Sequence, residues 1–173
     1  KRLRPVMTIV ASLVGDAEPQ NASEGAVQGG IACELVHLGS LYHDDVMDES
    51  TTRRGVETVN AKWGNLQAIL AGDFLLARAS EIAASLGTEV AGLLANTIGR
   101  LCEGQIEELR FTYNTARPVE SYLLSIEGKT ASLYGTAARI GGLVAGHDRS
   151  VIDSLTEYGT AYGMVFQIVD DIL

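Results

Sequence analysis

The sequence contains few cysteines, few aromatic residues and few basic residues. Only Cys33 and Cys102 occur among its 173 residues, and there is no Cys-x-x-Cys pair. This excludes a disulfide-rich scaffold and a zinc ribbon, and it predicts a reducing, cytoplasmic location. Aromatic residues make up 6% of the chain, although hydrophobic residues make up 46%. The core is therefore expected to consist mostly of small and aliphatic side chains.

Basic residues are outnumbered, since 13 lysines and arginines stand against 22 aspartates and glutamates. The net charge of −9 argues against a nucleic-acid partner, because proteins that bind nucleic acids present a basic surface. The basic residues that do occur cluster at the start of the chain and after an acidic segment, which predicts a bound anion. No apolar run reaches the roughly 18 residues of a membrane span, so no transmembrane segment is expected.

The chain shows no internal repeat and no composition shift that would mark a domain boundary. Both of its ends carry motif-like residues, where domains normally fray. We therefore expect residues 1–173 to form a single domain that is truncated at both ends.

Helical periodicity dominates the sequence, and alternating runs of β-branched residues are lacking. We therefore predict an all-α fold. Capping and helix-breaking residues set the expected boundaries. A first helix begins near Pro5 and runs to Gly15, and a long helix over 22–49 opens with Asn21 and Glu24. After a polar loop over 50–57, a helix over 65–86 ends at Gly87, and Thr88 caps a helix over 89–111. After a loop over 112–117, Pro118 begins a helix that Gly128 interrupts, another helix runs to about 145, and Asp148 caps the last one.

Several residues are expected to be structural rather than functional. Asp73 is predicted to be a buried hydrogen-bonding residue, and Trp63 and Tyr134 are predicted to serve packing rather than substrate contact. Glycines inside the predicted helices indicate either close helix packing or room for a ligand: Gly29, Gly30, Gly39, Gly159 and Gly163.

The segment from His43 to Gly55 reads His-Asp-Asp-Val-Met-Asp-Glu-Ser-Thr-Thr-Arg-Arg-Gly and is the most informative part of the chain. At about 100° per residue, the helix over 22–49 places His37, Asp44 and Asp48 in one stripe, whereas Asp45 points elsewhere. Two aspartates one turn apart can share a divalent cation and leave positions for phosphate oxygens. The alternative is a solvated acidic helix end, which the helix macrodipole disfavours.

Two further features complete this pattern. Arg53 and Arg54 follow the aspartates, and guanidinium groups match phosphate oxygens in a bidentate manner. A second aspartate pair, Asp170 and Asp171, ends an apolar helical segment. Taken alone, that pair would fit an ordinary polar helix end as well as a metal site. Together these features predict a diphosphate substrate held through Mg²⁺.

These residues match the motifs of a known family. The chain resembles the trans-isoprenyl diphosphate synthases, or polyprenyl synthetases, over its whole length. The resemblance rests on six motifs in the family's order: Lys1-Arg2-Leu3-Arg4-Pro5, Asp44-Asp45-Val46-Met47-Asp48, Arg53-Arg54, Gly104-Gln105-Ile106-Glu107-Glu108, Lys129-Thr130, and Phe166-Gln167 before Asp170-Asp171. The chain stops one residue before the third aspartate of the second Asp-Asp-x-x-Asp motif.

The resemblance implies an isoprenoid-synthase-type helical bundle around a central active-site cavity, several Mg²⁺ ions and a homodimer. It implies that the metal ligands are Asp44, Asp48, Asp170 and Asp171. Arg53 would hold the allylic diphosphate, and isopentenyl diphosphate would be held by Lys1, Arg4, His37 and Arg54. Lys129, Thr130 and Gln167 would lie beside the allylic substrate, Lys129 would help to neutralise the leaving group, and Gln105 belongs to the substrate-binding set.

Product length is expected to depend on the residues that precede the first aspartate motif. In the family, bulky residues four and five places before it mark short products, and here Ser40 and Gly39 occupy those places. Ser40 lies about 40° from Asp44 on the helical wheel, whereas Gly39 lies about 140° away. We therefore expect a product of geranylgeranyl length or longer, and precursors of quinone side chains are favoured.

Three other functions are considered. A class I terpene cyclase shares the aspartate cluster, but the basic opening and Arg53-Arg54 fit a second diphosphate. A non-catalytic partner subunit of a heteromeric synthase is disfavoured by the intact aspartate clusters. A di-iron bundle would need two Glu-x-x-His elements and further glutamates, and only Glu34-Leu35-Val36-His37 is present.

Overall fold

The computed structural model describes residues 2–15 and 22–173. Within these residues the chain is almost entirely helical, which confirms the all-α fold. Lys1 and residues 16–21, including the predicted capping residue Asn21, lie outside the described residues. The elements follow in this order: α1 (Leu3–Ser12), α2 (Glu24–Met47), β1 (Thr52–Arg53), β2 (Val56–Glu57), α3 (Val59–Trp63), α4 (Asn65–Ser85), α5 (Thr88–Arg110), α6 (Val119–Ile126), a π-helical turn (Glu127–Ala131), α7 (Ser132–Ala145) and α8 (Arg149–Ile172).

Helix α2 lies at the centre of the bundle and packs against α1, α4 and α7, while α7 packs against α8. The core that these helices share is built from small and aliphatic residues, as the composition predicts. Its buried members are Ala32, Cys33, Val36, Ala79, Ala83, Val90, Leu94, Leu133, Ala137 and Ile140. No described helix is both long and apolar enough to cross a bilayer.

The helix glycines serve close packing. At each of the five glycines singled out from the sequence, an added Cβ would come within 3.1 Å of an atom in another helical segment. At Gly163, for example, it would lie 2.6 Å from the Cα of Ala131. Because backbone atoms cannot move aside cheaply, these positions allow the helices to approach more closely than any larger residue would permit.

Two predicted helix caps differ from the structure. Ser23, not Asn21, occupies the N-cap of α2, and its Oγ accepts a hydrogen bond from the Ala26 amide at 3.2 Å. Thr88 is the first helical residue of α5, while Gly87, at φ +118°, is the N-cap. A glycine tolerates that positive φ, which explains why it precedes the helix. Asp148 does occupy the N-cap of α8, but its side chain makes no capping hydrogen bond.

The predicted loop over 50–57 contains a short hairpin. Thr52 pairs with Glu57 and Arg53 with Val56, and Arg54 and Gly55 form the two-residue connection at φ +53° and +78°. Positive φ at both central residues is the signature of the type I′ hairpin turn. The hairpin therefore aims the arginine pair back toward α2.

The predicted interruption at Gly128 is a π-helical turn rather than a break. The helix continues from α6 through Glu127–Ala131 into α7. Gly128 lies against Gly104 of α5, because a Cβ on Gly128 would lie 3.0 Å from the Cα of Gly104. Such turns admit one extra residue into a helix and are frequent at functional sites.

The expectation that Asp73 is buried is wrong. Its side chain is 60% exposed and faces His43, whose Nε2 lies 3.4 Å from Asp73 Oδ1. Trp63 is 58% exposed, so its predicted packing role is limited. Tyr134 is buried and packs beside Tyr162 and Phe166, but it also lines the large cavity described below.

Candidate active site

One large cavity of about 910 Å³ collects most of the residues predicted to be functional. Its walls come from α1, α2, the hairpin, α4, α5, the π-helical turn, α7 and α8. The predicted functional residues that line it are Arg4, His37, Ser40, Asp44, Asp48, Arg53, Arg54, Gln105, Lys129, Thr130, Gln167 and Asp170. His43 and Tyr134 line it as well. Gly39 and Asp171 are not among the lining residues.

The acidic side of the cavity is the stripe predicted on α2. Asp44 and Asp48 line the cavity, while Asp45 is only 4% exposed and accepts a 2.7 Å hydrogen bond from Arg53 Nε. Burial raises the pKa of Asp44, and Asp48 adds to this, whereas Lys129 and Arg53 oppose it. A carboxylate with a raised pKa is one that a bound cation would stabilise. Asp45 points away from the stripe, as predicted, and serves as a partner to Arg53.

The two aspartates at the end of α8 point in different directions. Asp170 lines the cavity, whereas Asp171 does not, and both carboxylate oxygens of Asp171 accept hydrogen bonds from other side chains. Gln167 Nε2 donates to Asp171 Oδ1 at 2.8 Å, and the Tyr122 hydroxyl donates to Oδ2 at 2.7 Å. A metal-ligand role for Asp171 stays a prediction, and these hydrogen bonds favour a supporting role instead.

Lys129 and Thr130 reach the cavity from the π-helical turn. Lys129 Nζ forms a 2.7 Å ion pair with Glu108 Oε2 on α5. Thr130 Oγ1 donates to Gln167 Oε1 at 2.8 Å, which links the turn to α8. The two side chains are thus held in place before any ligand binds. Sequence reasoning assigned no role to Glu108, although it closes the Gly-Gln-x-x-acid motif.

The cationic side of the cavity is formed by Arg4, Arg53 and Arg54, of which only Arg4 is buried. Arg4 is 9% exposed, lies 4.6 Å above the centroid of the Tyr134 ring, and its Nε has no hydrogen-bond partner among the described residues. Burial lowers the pKa of His37 to about 3, and Arg4, Arg54 and Arg53 add to this. His37 is therefore neutral near pH 7, and the positive charge of this wall comes from the arginines.

A smaller cavity of about 470 Å³ adjoins the first. It shares His37, Leu41 and Arg54 with the large cavity and adds Arg2 and Glu34, whereas Arg53 lines only the large one. Of the two adjacent arginines, Arg53 therefore lines only the large cavity, whereas Arg54 lines both cavities. Lys1, predicted for the same binding site, lies outside the described residues.

A model of the polyprenyl synthetase family matches residues 1–173. The chain belongs to this family. Nonaprenyl diphosphate synthase of Mycobacterium tuberculosis is 43% identical over 173 residues, which are 100% of this chain and 51% of that protein. Heptaprenyl diphosphate synthase component 2 of Geobacillus stearothermophilus is 41% identical over 174 residues, with 100% and 53% covered.

Solved structures agree with the family assignment. A decaprenyl diphosphate synthase from Rhodobacter capsulatus has a TM-score of 0.91 at 38% identity, covering 98% of this chain and 51% of that one. A polyprenyl synthase from Caulobacter crescentus, complexed with calcium and isoprenyl diphosphate, has a TM-score of 0.92 at 34% identity, covering 99% and 51%. The chain spans about half the length of the curated relatives it matches.

The residues that would set product length in a polyprenyl synthetase occupy different places. Ser40 lines the cavity, and its hydroxyl donates to the His37 carbonyl at 2.9 Å. Gly39 instead lies at the contact of α2 with α4, where an added Cβ would be 3.0 Å from the Gly72 carbonyl oxygen and 3.2 Å from Leu76 Cγ. Since Leu76 lines the cavity, a larger residue at 39 would act on it only indirectly.

The donor set suits a hard divalent cation. Three carboxylates from two helices, Asp44, Asp48 and Asp170, face one cavity, and oxygen ligands are those that Mg²⁺ and Ca²⁺ prefer. Among residues 2–15 and 22–173, no group of three or more His, Cys, Asp or Glu side chains lies close enough together to hold a metal ion. A cation at these carboxylates would therefore need further ligands, such as the oxygens of a bound phosphate group.

Proposed function

We propose that the protein carrying this chain is a Mg²⁺-dependent trans-prenyltransferase. It would condense isopentenyl diphosphate with an allylic prenyl diphosphate and make an all-trans polyprenyl diphosphate of geranylgeranyl length or longer. The observation that carries this proposal is the pair of adjoining cavities that share His37 and Arg54. The large cavity combines carboxylates with basic residues and an apolar interior. The smaller cavity presents Arg2 and Arg54 beside Glu34 and apolar side chains, so each cavity offers arginine to a diphosphate.

The allylic diphosphate belongs in the large cavity under this proposal. Asp44, Asp48 and Asp170 would hold Mg²⁺, which would neutralise charge on the departing diphosphate as a Lewis acid. Arg53 would bind the same diphosphate, and its guanidinium is already oriented by Asp45. Lys129 would exchange its ion pair with Glu108 for phosphate oxygens, with Thr130 and Gln167 beside it.

Isopentenyl diphosphate belongs beside the shared wall. Lys1, Arg4 and Arg54 would supply charge, and neutral His37 would donate a single hydrogen bond. The unpartnered Nε of Arg4 supports this assignment, because a buried donor without a partner is costly unless a ligand satisfies it. Gln105 lines the cavity with a buried, unpartnered carbonyl oxygen and belongs to the substrate-binding set.

The chemistry follows from the basic residues that line the cavity and from the exclusion of water by its apolar interior. The allylic C–O bond breaks and its electron pair leaves with diphosphate, whose charge the basic residues stabilise without proton transfer. The alkene of isopentenyl diphosphate then forms the new C–C bond, and a proton is lost to the diphosphate by-product. Leu76, Ile98 and Leu101 keep the cavity interior apolar, so that water does not intercept the allylic cation.

Product synthesis by the full-length protein tests the proposal. With isopentenyl and farnesyl diphosphates and Mg²⁺, elongated all-trans products should be separated by reversed-phase chromatography and identified by mass. Asp44→Asn should lower kcat by at least 100-fold, the range expected when transition-state charge stabilisation is lost. Asp153→Asn, which removes an exposed aspartate of α8, is the matched control. Absence of elongation by the wild-type protein would contradict the proposal, and cyclised hydrocarbon products would indicate a terpene cyclase instead.

We further propose that the active form is a homodimer in the cytoplasm. The supporting observation is an exposed apolar face on α4, where Leu66, Leu70 and Phe74 are each more than 60% exposed. Contiguous exposed apolar surface of this kind marks protein interfaces. The Geobacillus relative is named as one component of its synthase, so a heteromer with a second subunit is the alternative. Light scattering of the purified full-length protein distinguishes a dimeric mass from a monomer that elongates only with a partner.

A further inference from the structure

Tyr122 connects α6 to the last turn of α8. Its hydroxyl donates a 2.7 Å hydrogen bond to Asp171 Oδ2, 49 positions further along the chain. Gln167 Nε2 donates to the other oxygen of the same carboxylate at 2.8 Å. Thr130 Oγ1 in turn donates to Gln167 Oε1 at 2.8 Å. Three hydrogen bonds therefore join α6, the π-helical turn and α8 through one carboxylate and one amide.

These hydrogen bonds matter because they tie α8 to two other segments of the chain. Tyr122 approaches Asp171 from α6, and Thr130 approaches Gln167 from the π-helical turn. Neighbouring residues on a helix point about 100° apart. Once Asp171 is fixed outside the cavity, the direction of Asp170 into the cavity is fixed as well.

We infer that Tyr122 is a positioning residue for the metal–diphosphate site. It holds Asp171 away from the cavity and thereby presents Asp170 to the cation, an inference that rests on the proposed function. Tyr122 does not line the cavity and would touch neither substrate. Tyr122 acts on Asp170 through Asp171. Its effect on cation binding should therefore be no larger than that of a residue that hydrogen-bonds a metal ligand directly.

The test measures how Mg²⁺ supports the binding of inorganic diphosphate to the full-length protein by isothermal titration calorimetry. Tyr122→Phe should raise the half-saturating Mg²⁺ concentration roughly threefold to tenfold, at or below the effect of losing a direct outer-shell partner. The KM for isopentenyl diphosphate should stay within about twofold, because Arg4, His37 and Arg54 come from α1, α2 and the hairpin, not from α6 or α8. Tyr158→Phe, which removes the hydroxyl of an exposed tyrosine on α8, should leave both quantities unchanged.

The double variant Tyr122→Phe/Asp171→Asn separates positioning from direct ligation. If Tyr122 acts through Asp171, the double variant should bind Mg²⁺ and diphosphate no more weakly than Asp171→Asn alone. Effects that multiply would overturn the inference, as would a Tyr122→Phe variant with wild-type Mg²⁺ dependence. An equal loss in Mg²⁺ dependence and in isopentenyl diphosphate KM would show a general structural role and would overturn it too.

Elongation is measured separately in the same preparations. A wild-type protein that binds Mg²⁺ and diphosphate without elongating contradicts the proposed function and leaves the positioning test valid. A wild-type protein that binds neither contradicts both. A Tyr122→Phe variant indistinguishable from an elongating wild-type protein contradicts only the positioning role.

Discussion

Arg54 adopts a backbone conformation that few residues other than glycine, asparagine and aspartate tolerate. Its φ of +53° lies in the left-handed region, and Gly55 follows at +78°. Holding a non-glycine residue there costs on the order of 1 kcal/mol. The same conformation brings the Arg54 side chain to the wall shared by the two cavities. The strain at this residue is therefore linked to its position in the site.

Arg54→Asn should separate stability from activity. Asparagine is favoured in the first central position of a type I′ turn, so the free energy of unfolding should rise by a few tenths to about 1 kcal/mol. Loss of the guanidinium should raise the KM for isopentenyl diphosphate at least tenfold, since a charge-assisted contact is removed. Urea denaturation and steady-state kinetics measure the two effects. An unchanged KM would remove Arg54 from the substrate-binding residues.

Ser40→Phe should shorten the product. Ser40 lines the cavity one helical turn before Asp44, so a phenyl ring there would fill space that the growing chain needs. Chromatography of the products should show a shift to shorter chains, with the KM for the allylic primer changed by less than about threefold. Ser154→Phe, at an exposed position of α8, is the control. Products of unchanged length would show that the chain does not pass Ser40.

At the scale of the elements, apolar periodicity and glycine positions predicted the long helices well. The predicted helix over 65–86 is α4 (Asn65–Ser85), and the last helix begins after Asp148 as expected. The stripe of His37, Asp44 and Asp48 also follows from helical geometry alone, and all three line the cavity. These features depend on residues close together in the sequence, which is why they can be read from it.

Some features were missed because the elements are too short to show a pattern. The strands of the hairpin have two residues each, and the five residues of α3 are too few for an amphipathic pattern.

Other features were missed because they depend on contacts between distant segments. The outward position of Asp171 depends on Tyr122, a hydrogen-bond partner from another helix. The π-helical turn depends on the contact of Gly128 with Gly104 on α5. None of these partners is adjacent in sequence.

Gly104→Ala should disturb the π-helical turn. An added Cβ would lie 2.7 Å from the Ser125 carbonyl oxygen and 2.9 Å from the carbonyl carbon of Gly128, and backbone atoms cannot shift without moving the turn. Overpacking of this kind costs about 1–3 kcal/mol. We expect a lower melting temperature and a kcat lowered at least tenfold, because Lys129 and Thr130 would move.

Gly99→Ala on the same helix is the matched control. Among the described residues, no atom beyond the neighbouring backbone of α5 lies within 4 Å of a Cβ at that position. The alanine should therefore stabilise the protein by up to about 1 kcal/mol through helix propensity and leave kcat unchanged. Equal losses in the two variants would show that the contact with the π-helical turn is not the cause.

At the scale of the whole molecule, acid stability should depend on His37. Burial and three nearby arginines lower its pKa to about 3 from an ordinary value of 6.5. The unfolded chain therefore binds a proton below pH 6.5 that the folded chain does not bind until about pH 3, so stability falls as pH falls through this window. At about 1.4 kcal/mol per pKa unit, His37 should account for roughly 1.5 kcal/mol of the loss between pH 6.5 and 5.

Comparison of wild type with His37→Gln measures this contribution. Urea unfolding curves between pH 7 and pH 4.5 should show a shallower pH dependence in the variant, since glutamine does not titrate. Matching slopes in the two proteins would mean that His37 is protonated at similar pH in the folded and unfolded chains. Inorganic diphosphate should reduce the difference, because an anion beside the imidazole raises its pKa.

The π-helical turn also makes length-changing mutations unusually revealing. A π-helical turn contains one residue more than the surrounding α-helical ladder requires. Deleting one residue within Glu127–Ala131 would restore an uninterrupted α-helix from α6 to α7. The shortened helix would keep its backbone hydrogen bonds, and the side chains of α6 and α7 would keep roughly their relative directions, because the wide turn absorbs its extra residue. A single codon loss here would thus spare both flanking helices while removing the wide turn that presents Lys129 and Thr130 to the cavity.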